Sequence, residues 1–213
     1  MSDYSYFTTR IRGKGREMEI TPRKQPRQAR ARATCAAIRE AAARILVAGG
    51  AGAVNTNAVA ELAGVSVGTL YQYYPSKEAI LAELVREMRA GMLDDLRRGA
   101  SEAGNMELGA SVRVMTAAAL EHHRRDAALA DALERVEADL PLDAETAALK
   151  REIHMLVVAI LDRHGVTDAG VAAQDLSAIS RGMAEAAAAA GERDFDAVGR
   201  RVARAAIGYL MTP

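Results

Sequence analysis

Val67, Gly68, Thr69, Gln72 and Tyr73 lie within seven residues, carry no charge, and are either slim or able to hydrogen-bond. Side chains of these types suit the edges of DNA bases. Slim residues allow close approach to a major groove, and a few donors, acceptors and methyl groups distinguish one base pair from another. Ser76 and Lys77 follow directly. A cation beside a helix start is placed for a backbone phosphate, which meets both the charge and the unpaired N–H groups.

The elements that must hold these residues are legible on either side of them. Asn55 or Thr56 can cap a first helix with a side-chain oxygen, and Val59, Ala60, Leu62 and Ala63 give that helix a narrow apolar face. Gly64 stands where a helix end needs a left-handed residue. Ser66 caps a second helix running from Val67 to about Tyr73, and Pro75 biases Tyr74 out of helical geometry. Two helices across a short glycine-containing turn predict a helix-turn-helix, with Ala60 at the helix crossing and Leu70 buried. A short helical hairpin inside an all-helical core is the plainer reading. Three neighbouring tyrosines, Tyr71, Tyr73 and Tyr74, on a polar helix fit core packing poorly.

The run TNAVAELAGVSVGTLYQYYPSKEAIL closely resembles the DNA-binding region of the tetracycline-repressor (TetR) family of bacterial transcriptional regulators. The matching pattern is a threonine-led helix followed by A-x-x-A-G-V-S-x-G-T-L-Y-x-Y-[FY]-x-S-K-E, and the resemblance covers roughly Ala33 to Met92. It implies that Val67, Gly68, Thr69, Gln72 and Tyr73 face the major groove and that Thr56, Tyr71 and Lys77 hold phosphates. Asn57 would reach a base or phosphate, at a position where the family often carries a basic residue. It also implies a homodimer on a near-palindromic operator in double-stranded DNA, paired through the last two helices, and a small-molecule effector held in the helical body. Repression is the commonest outcome in such proteins.

The remainder of the chain predicts an all-α fold of about nine helices: an N-terminal helix-turn-helix domain and a larger helical domain for ligand binding and dimerisation. Residues 1–28 read as a flexible basic arm, with Arg10, Arg12, Lys14, Arg16, Arg23, Lys24 and Arg27 scattered along it and Pro22 and Pro26 interrupting it. Residues 29–78 form the DNA-binding domain and 79–213 the effector and dimerisation domain. Helical patterning predicts a first helix over Ala29–Ala48, stopped by Gly49, Gly50 and Gly52, and a fourth from Ser76 to about Arg98. Further helices are expected over Met106–Arg124, Asp126–Leu140, Asp143–His164, Ala169–Ala190 and Phe195–Met211. Ala184 and Ala186 to Ala190, surrounding Met183, let backbones approach closely. With Ile179 and Val202 they predict a helix-packing seam, either within the chain or between two copies.

Composition narrows the function classes. Net charge is zero overall, but residues 1–34 carry +6 and residues 101–213 carry −6, so a basic front precedes an acidic back. One end is therefore suited to a polyanion. The single Cys35 forms no internal disulfide, fits a reducing cytoplasm and reads as a packing residue. No apolar run approaches a membrane span. Adjacent His122 and His123 point about 100° apart on a regular helix, and with His154 and His164 they offer no paired ligand set, so no metal is expected. No catalytic residues are expected either, since there is no nucleophile elbow, phosphate loop or dinucleotide glycine pattern, and no cofactor is implied. From residue 101 onward the aromatics are Phe195 and Tyr209 alone. Any effector pocket is then lined by aliphatic and thioether side chains, Met88, Met92, Met115, Met155 and Met183 among them, and favours a small apolar molecule. The alternatives are an architectural or adaptor DNA-binding protein without an effector, which predicts a solid body, and a helical enzyme, which predicts a polar convergent cavity.

Overall fold

Caps and glycines divide the chain where the sequence places them. In the computed structural model, which describes residues 11–13, 16–24 and 28–211, nine α-helices occur among the described residues. They are α1 (Ala29–Ala53), α2 (Thr56–Leu62), α3 (Val67–Tyr73), α4 (Lys77–Ala103), α5 (Leu108–Ala119), α6 (Glu121–Glu137), α7 (Asp143–Arg163), α8 (Ala169–Ala189) and α9 (Phe195–Met211). Ahead of them, β1 (Ile11–Gly13) and β2 (Arg16–Met18) pair antiparallel, with Ile11 opposite Met18 and Gly13 opposite Arg16. The scattered cations and prolines of this stretch predict no element here. Only two residues separate the strands, the shortest common hairpin spacing, and the pair leaves the fold all-α. The arm's cations at Arg10, Lys14 and Arg27 lie outside the described residues.

Two compact units make up the chain. The first contains α1, α2, α3, the Lys77–Glu87 part of α4, and Ala132–Leu142. Its core includes Ile38, Leu46, Val54, Val59, Leu70, Ile80 and Val85, all at most 1% exposed. α1 runs past its expected end, but Gly50 breaks it at φ 71°, ψ −178°, a conformation that L side chains rarely adopt. Cys35 is buried against this core, and burial pushes its thiol pKa up, so it behaves as a packing residue.

The second unit contains Met88–Asp131 and Asp143 onward. One cluster joins Leu96, Ala103, Met115 and Ile160; another joins Leu161, Ala169, Ala172 and Ala173; a third joins Leu120, Ala184, Ala187, Phe195, Val198 and Val202. Here the expected helix boundaries shift. The stretch predicted as Met106–Arg124 stops at Ala119, and α6 begins at Glu121. α6 is itself interrupted at Asp126 (φ −156°, ψ 88°), the position where the sequence predicts a new helix to start, and the Asp126 carboxylate accepts a hydrogen bond from the Leu129 N–H at 3.0 Å. No glycine or proline marks either break. Burial of Leu120 in the Phe195 cluster redirects the chain, and local sequence carries no sign of that. The two histidines beside the interruption do not diverge as a regular helix implies. Their rings lie 4.3 Å apart, and His123 stacks on Phe195 at 4.4 Å and 3°.

Candidate nucleic-acid interface

α2 and α3 are each seven residues long, too short to persist alone, so caps and tertiary contacts must hold them. The Asn55 side chain accepts a hydrogen bond from the Ala58 N–H at 2.9 Å, and Ser66 accepts from the Thr69 N–H at 3.0 Å. Each cap is worth about 1 kcal/mol. Between them Gly64 adopts φ 68°, where any other residue would be strained. Val59, Ala60 and Leu70 are buried, so the crossing and the anchor lie where the sequence reading places them. Leu62 departs from that reading. It is 50% exposed, because a helix of two turns has room for one narrow buried stripe and Val59 with Ala60 fill it.

With Leu70 fixed inward, the 100° step of a helix fixes the rest of α3. Gly68 and Gln72 lie opposite Leu70 and are exposed. Thr69 and Tyr73 flank them on one side and are half-buried, while Val67 and Tyr71 flank them on the other and are exposed. The Thr69 hydroxyl lies 2.8 Å from the Ser66 hydroxyl. The Tyr71 hydroxyl meets the Thr56 hydroxyl at 3.1 Å, bringing together two groups fifteen positions apart in sequence. Asn57 is exposed on the first turn of α2. The Lys77 ammonium, at the start of α4, donates to the Ala51 carbonyl at 3.4 Å, near the broken end of α1.

A second group of residues holds α3 in roles that the sequence does not predict for them. The Arg23 N–H donates to the Tyr73 carbonyl at 2.7 Å, and its guanidinium donates to the Tyr71 carbonyl at 3.1 Å. Both carbonyls belong to the last turn of α3, which otherwise lacks intrahelical donors. The strap that carries Arg23 is pinned in turn. Ser76 donates to the Glu19 carbonyl at 3.1 Å, Arg86 donates to the Ile20 carbonyl at 3.0 Å, and Ile20 is buried. Tyr74 lies beneath, 2% exposed, and its hydroxyl accepts from Arg39 at 3.3 Å. Burial pushes the Tyr74 pKa up to about 12, against the opposing pull of the Arg39 charge. Arg39 also pairs with Glu87 at 2.7 Å. A proline at 22 followed by Arg23 and Lys24 was the available sequence signal, and it reads equally well as a loop.

The five methionines offered as pocket residues are not gathered in one place. Met92 and Met115 share the Leu96–Ile160 cluster, Met183 packs on the Phe195 cluster, and Met88 is half-buried. Met155 is 69% exposed and lines no interior space, because α7 turns it away from the face that buries Ile160 and Leu161.

A capped two-helix motif with an uncharged outward face on its second helix defines a DNA-binding module. Residues 38–84 match the family of bacterial regulatory proteins named tetR. No curated protein matches the chain. Among solved structures, the TetR family regulator PfmR from Thermus thermophilus superposes with TM-score 0.64 at 21% identity, covering 82% of this chain and 96% of that one. A tetR-family regulatory protein from Rhodococcus RHA1 gives TM-score 0.67 at 20% identity, covering 83% and 96%. SmeT in complex with triclosan gives TM-score 0.64 at 17% identity, covering 85% and 95%. At these identities the structures show the fold. The chain thus carries the DNA-binding domain of the tetR family over residues 38–84, on a fold that it shares with TetR-family regulators.

Proposed function

We propose that this protein is a cytoplasmic repressor that binds a near-palindromic operator as a homodimer and leaves it when a small effector occupies its helical body. The observation that carries the DNA-reading half is the α3 face opposite Leu70. Gly68 and Gln72 at its centre, with Val67, Thr69 and Tyr73 beside them, read base edges, since they supply hydrogen bonds and methyl contacts with no charge to favour phosphate instead. Thr56 and Tyr71, already 3.1 Å apart at their hydroxyls, hold one phosphate together. Lys77 holds another, and Asn57 approaches the same backbone from the start of α2.

Support for a dimer comes from α8 and α9. Ala178, Gly182, Ala186 and Ala189 on α8, and Ala205 and Gly208 on α9, are exposed. Exposed small residues in such number allow close approach of a second copy's helices. Val202, grouped with them on sequence, is instead buried within the chain. Support for an effector comes from SmeT, solved as a triclosan complex, and from the aliphatic and thioether side chains that pack together around Met92 and Met115. Selecting operator DNA from a random pool with the full chain, then footprinting it, tests the reading. Two half-sites with centres about 34–36 Å apart, or a multiple of one turn, are expected. Recovery of a single half-site bound by one protomer would overturn it.

A further inference from the structure

A groove of about 420 Å³ runs between α5 and α9, within the size range of small-ligand sites. Its floor is apolar, made by Leu120, Phe195, Ala203 and Ile207. Its rim is cationic. Arg200 and Arg204, one turn apart on α9, are exposed, and among the described residues no carboxylate pairs with either. Arg113 stands on α5 across from them, tied among the described residues to an exposed Glu107 at 3.4 Å. The remaining charges at the rim cancel, since Arg124 is held by Glu121 at 2.6 Å and by Asp196 at 2.7 Å. Two unneutralised guanidiniums over an aliphatic floor complement an anion with an apolar tail. An acidic protein surface would match the charges and leave the concave floor unfilled.

We propose that this groove binds an amphipathic anion, an aliphatic chain bearing one carboxylate or phosphate, with the tail along Ala117, Gly199 and Ile207 above the buried Leu120 and Phe195, and the head between Arg200 and Arg204. Guanidinium pairs with either oxyanion through two parallel hydrogen bonds, so both head groups share the recognition chemistry. This ligand adds an anionic head group to the small apolar molecule expected from sequence. It rests on the regulatory reading only for its consequence at DNA, and the binding is measured without DNA.

The test is calorimetric titration of the full chain, below micelle-forming concentrations, with decanoate, decyl phosphate, 1-decanol and inorganic phosphate. Decanoate or decyl phosphate should bind, and the stronger of the two identifies the head group. Decanol and inorganic phosphate should each bind at least about ten-fold more weakly, the loss of one charge-assisted contact or of the tail. The Arg200→Ala/Arg204→Ala double variant should lose about ten-fold for the anions and nothing for decanol. Gly199→Leu should block the groove. The first added carbon there meets Leu120 at 3.7 Å, ordinary contact, and an unaltered melting temperature must accompany the larger leucine for the result to count. Decanol binding as well as decanoate, or anion binding unchanged in both variants, overturns the proposal. So does a Gly199→Leu variant that turns a dimer into monomers while no probe binds the parent, since a second copy would then be the occupant. Anion binding that leaves operator affinity untouched sinks the inducer reading and leaves the site standing.

Discussion

Gln72 lies on the α3 face opposite the buried Leu70, with Thr69 on its flank, and Lys77 begins the next helix. Base-edge contacts carry sequence information and phosphate contacts do not. Thr69→Ala and Gln72→Ala should therefore relax preference at their own base positions by about 1–3 kcal/mol each, measured against operator variants. Lys77→Ala should weaken all sequences alike and lessen the salt dependence of binding by about one phosphate. The opposite pattern would reverse the assignment of the helix face. Beneath the same helix, Tyr74 supplies a pH test of the core. Its folded pKa, pushed up to about 12, exceeds the value of about 10 for a free tyrosine. The folded state then keeps a proton that the unfolded state releases. Stability from this group is intact below pH ~10 and is lost as pH rises through 12. Absorbance at 295 nm should show part of the tyrosine signal ionising well above the free-tyrosine value. Simultaneous ionisation of every tyrosine with the fold intact would show that the buried environment is wrong.

At the scale of elements, the strap from Glu19 to Arg23 acts as a C-terminal cap for α3. Two carbonyls of a seven-residue helix depend on Arg23. Arg23→Ala removes the guanidinium bond and leaves the N–H bond, so about 0.5–1.5 kcal/mol of local stability should go. The readout is faster amide exchange in α3 with the melting temperature little changed, together with a smaller ratio of operator to random-DNA affinity. Uniform loss of affinity with unchanged exchange would make Arg23 a phosphate contact instead. On α8 and α9 the exposed small residues make a different prediction. Ala186→Glu, or Ala205→Glu, puts like charges against each other across a two-fold axis. Sedimentation should show monomers, with helicity preserved because both positions are exposed in the single chain. A dimer unaffected by both changes would locate pairing elsewhere.

For the whole molecule, regulation requires that effector and DNA compete through conformation. An effector shifts an equilibrium only by its different affinities for two states, and DNA must reduce effector affinity by the same factor that effector reduces DNA affinity. Helix α4 belongs to both compact units, Lys77–Glu87 to one and Met88–Ala103 to the other, and in the second it is tied to α6 by Asp95 and Arg125 at 2.8 Å. Titrating decanoate or decyl phosphate with and without operator should give affinities that differ by that shared factor. Equal affinities would mean that the ligand is a bystander.

The helix-turn-helix was legible in sequence because its signals are local. Asn55 and Ser66 cap the helices that follow them within three residues, Gly64 takes the left-handed turn, and Pro75 closes α3. The bounds of α9 were equally plain, since an apolar stripe at helical spacing begins at Phe195 and runs out at Met211. Tertiary structure alone decided where partners distant in sequence meet. Arg23 finds the carbonyls of Tyr71 and Tyr73 across about fifty residues, and Tyr71 finds Thr56. Leu120 ends a helix because Phe195 and Val198 hold it, although every residue around it would continue one. Leu62 and Met155 face outward despite their hydrophobicity, because short or differently rolled helices had other residues to bury. Propensity and periodicity act over one or two turns, and the choice among equally apolar or equally basic side chains is made by what the rest of the chain brings against them.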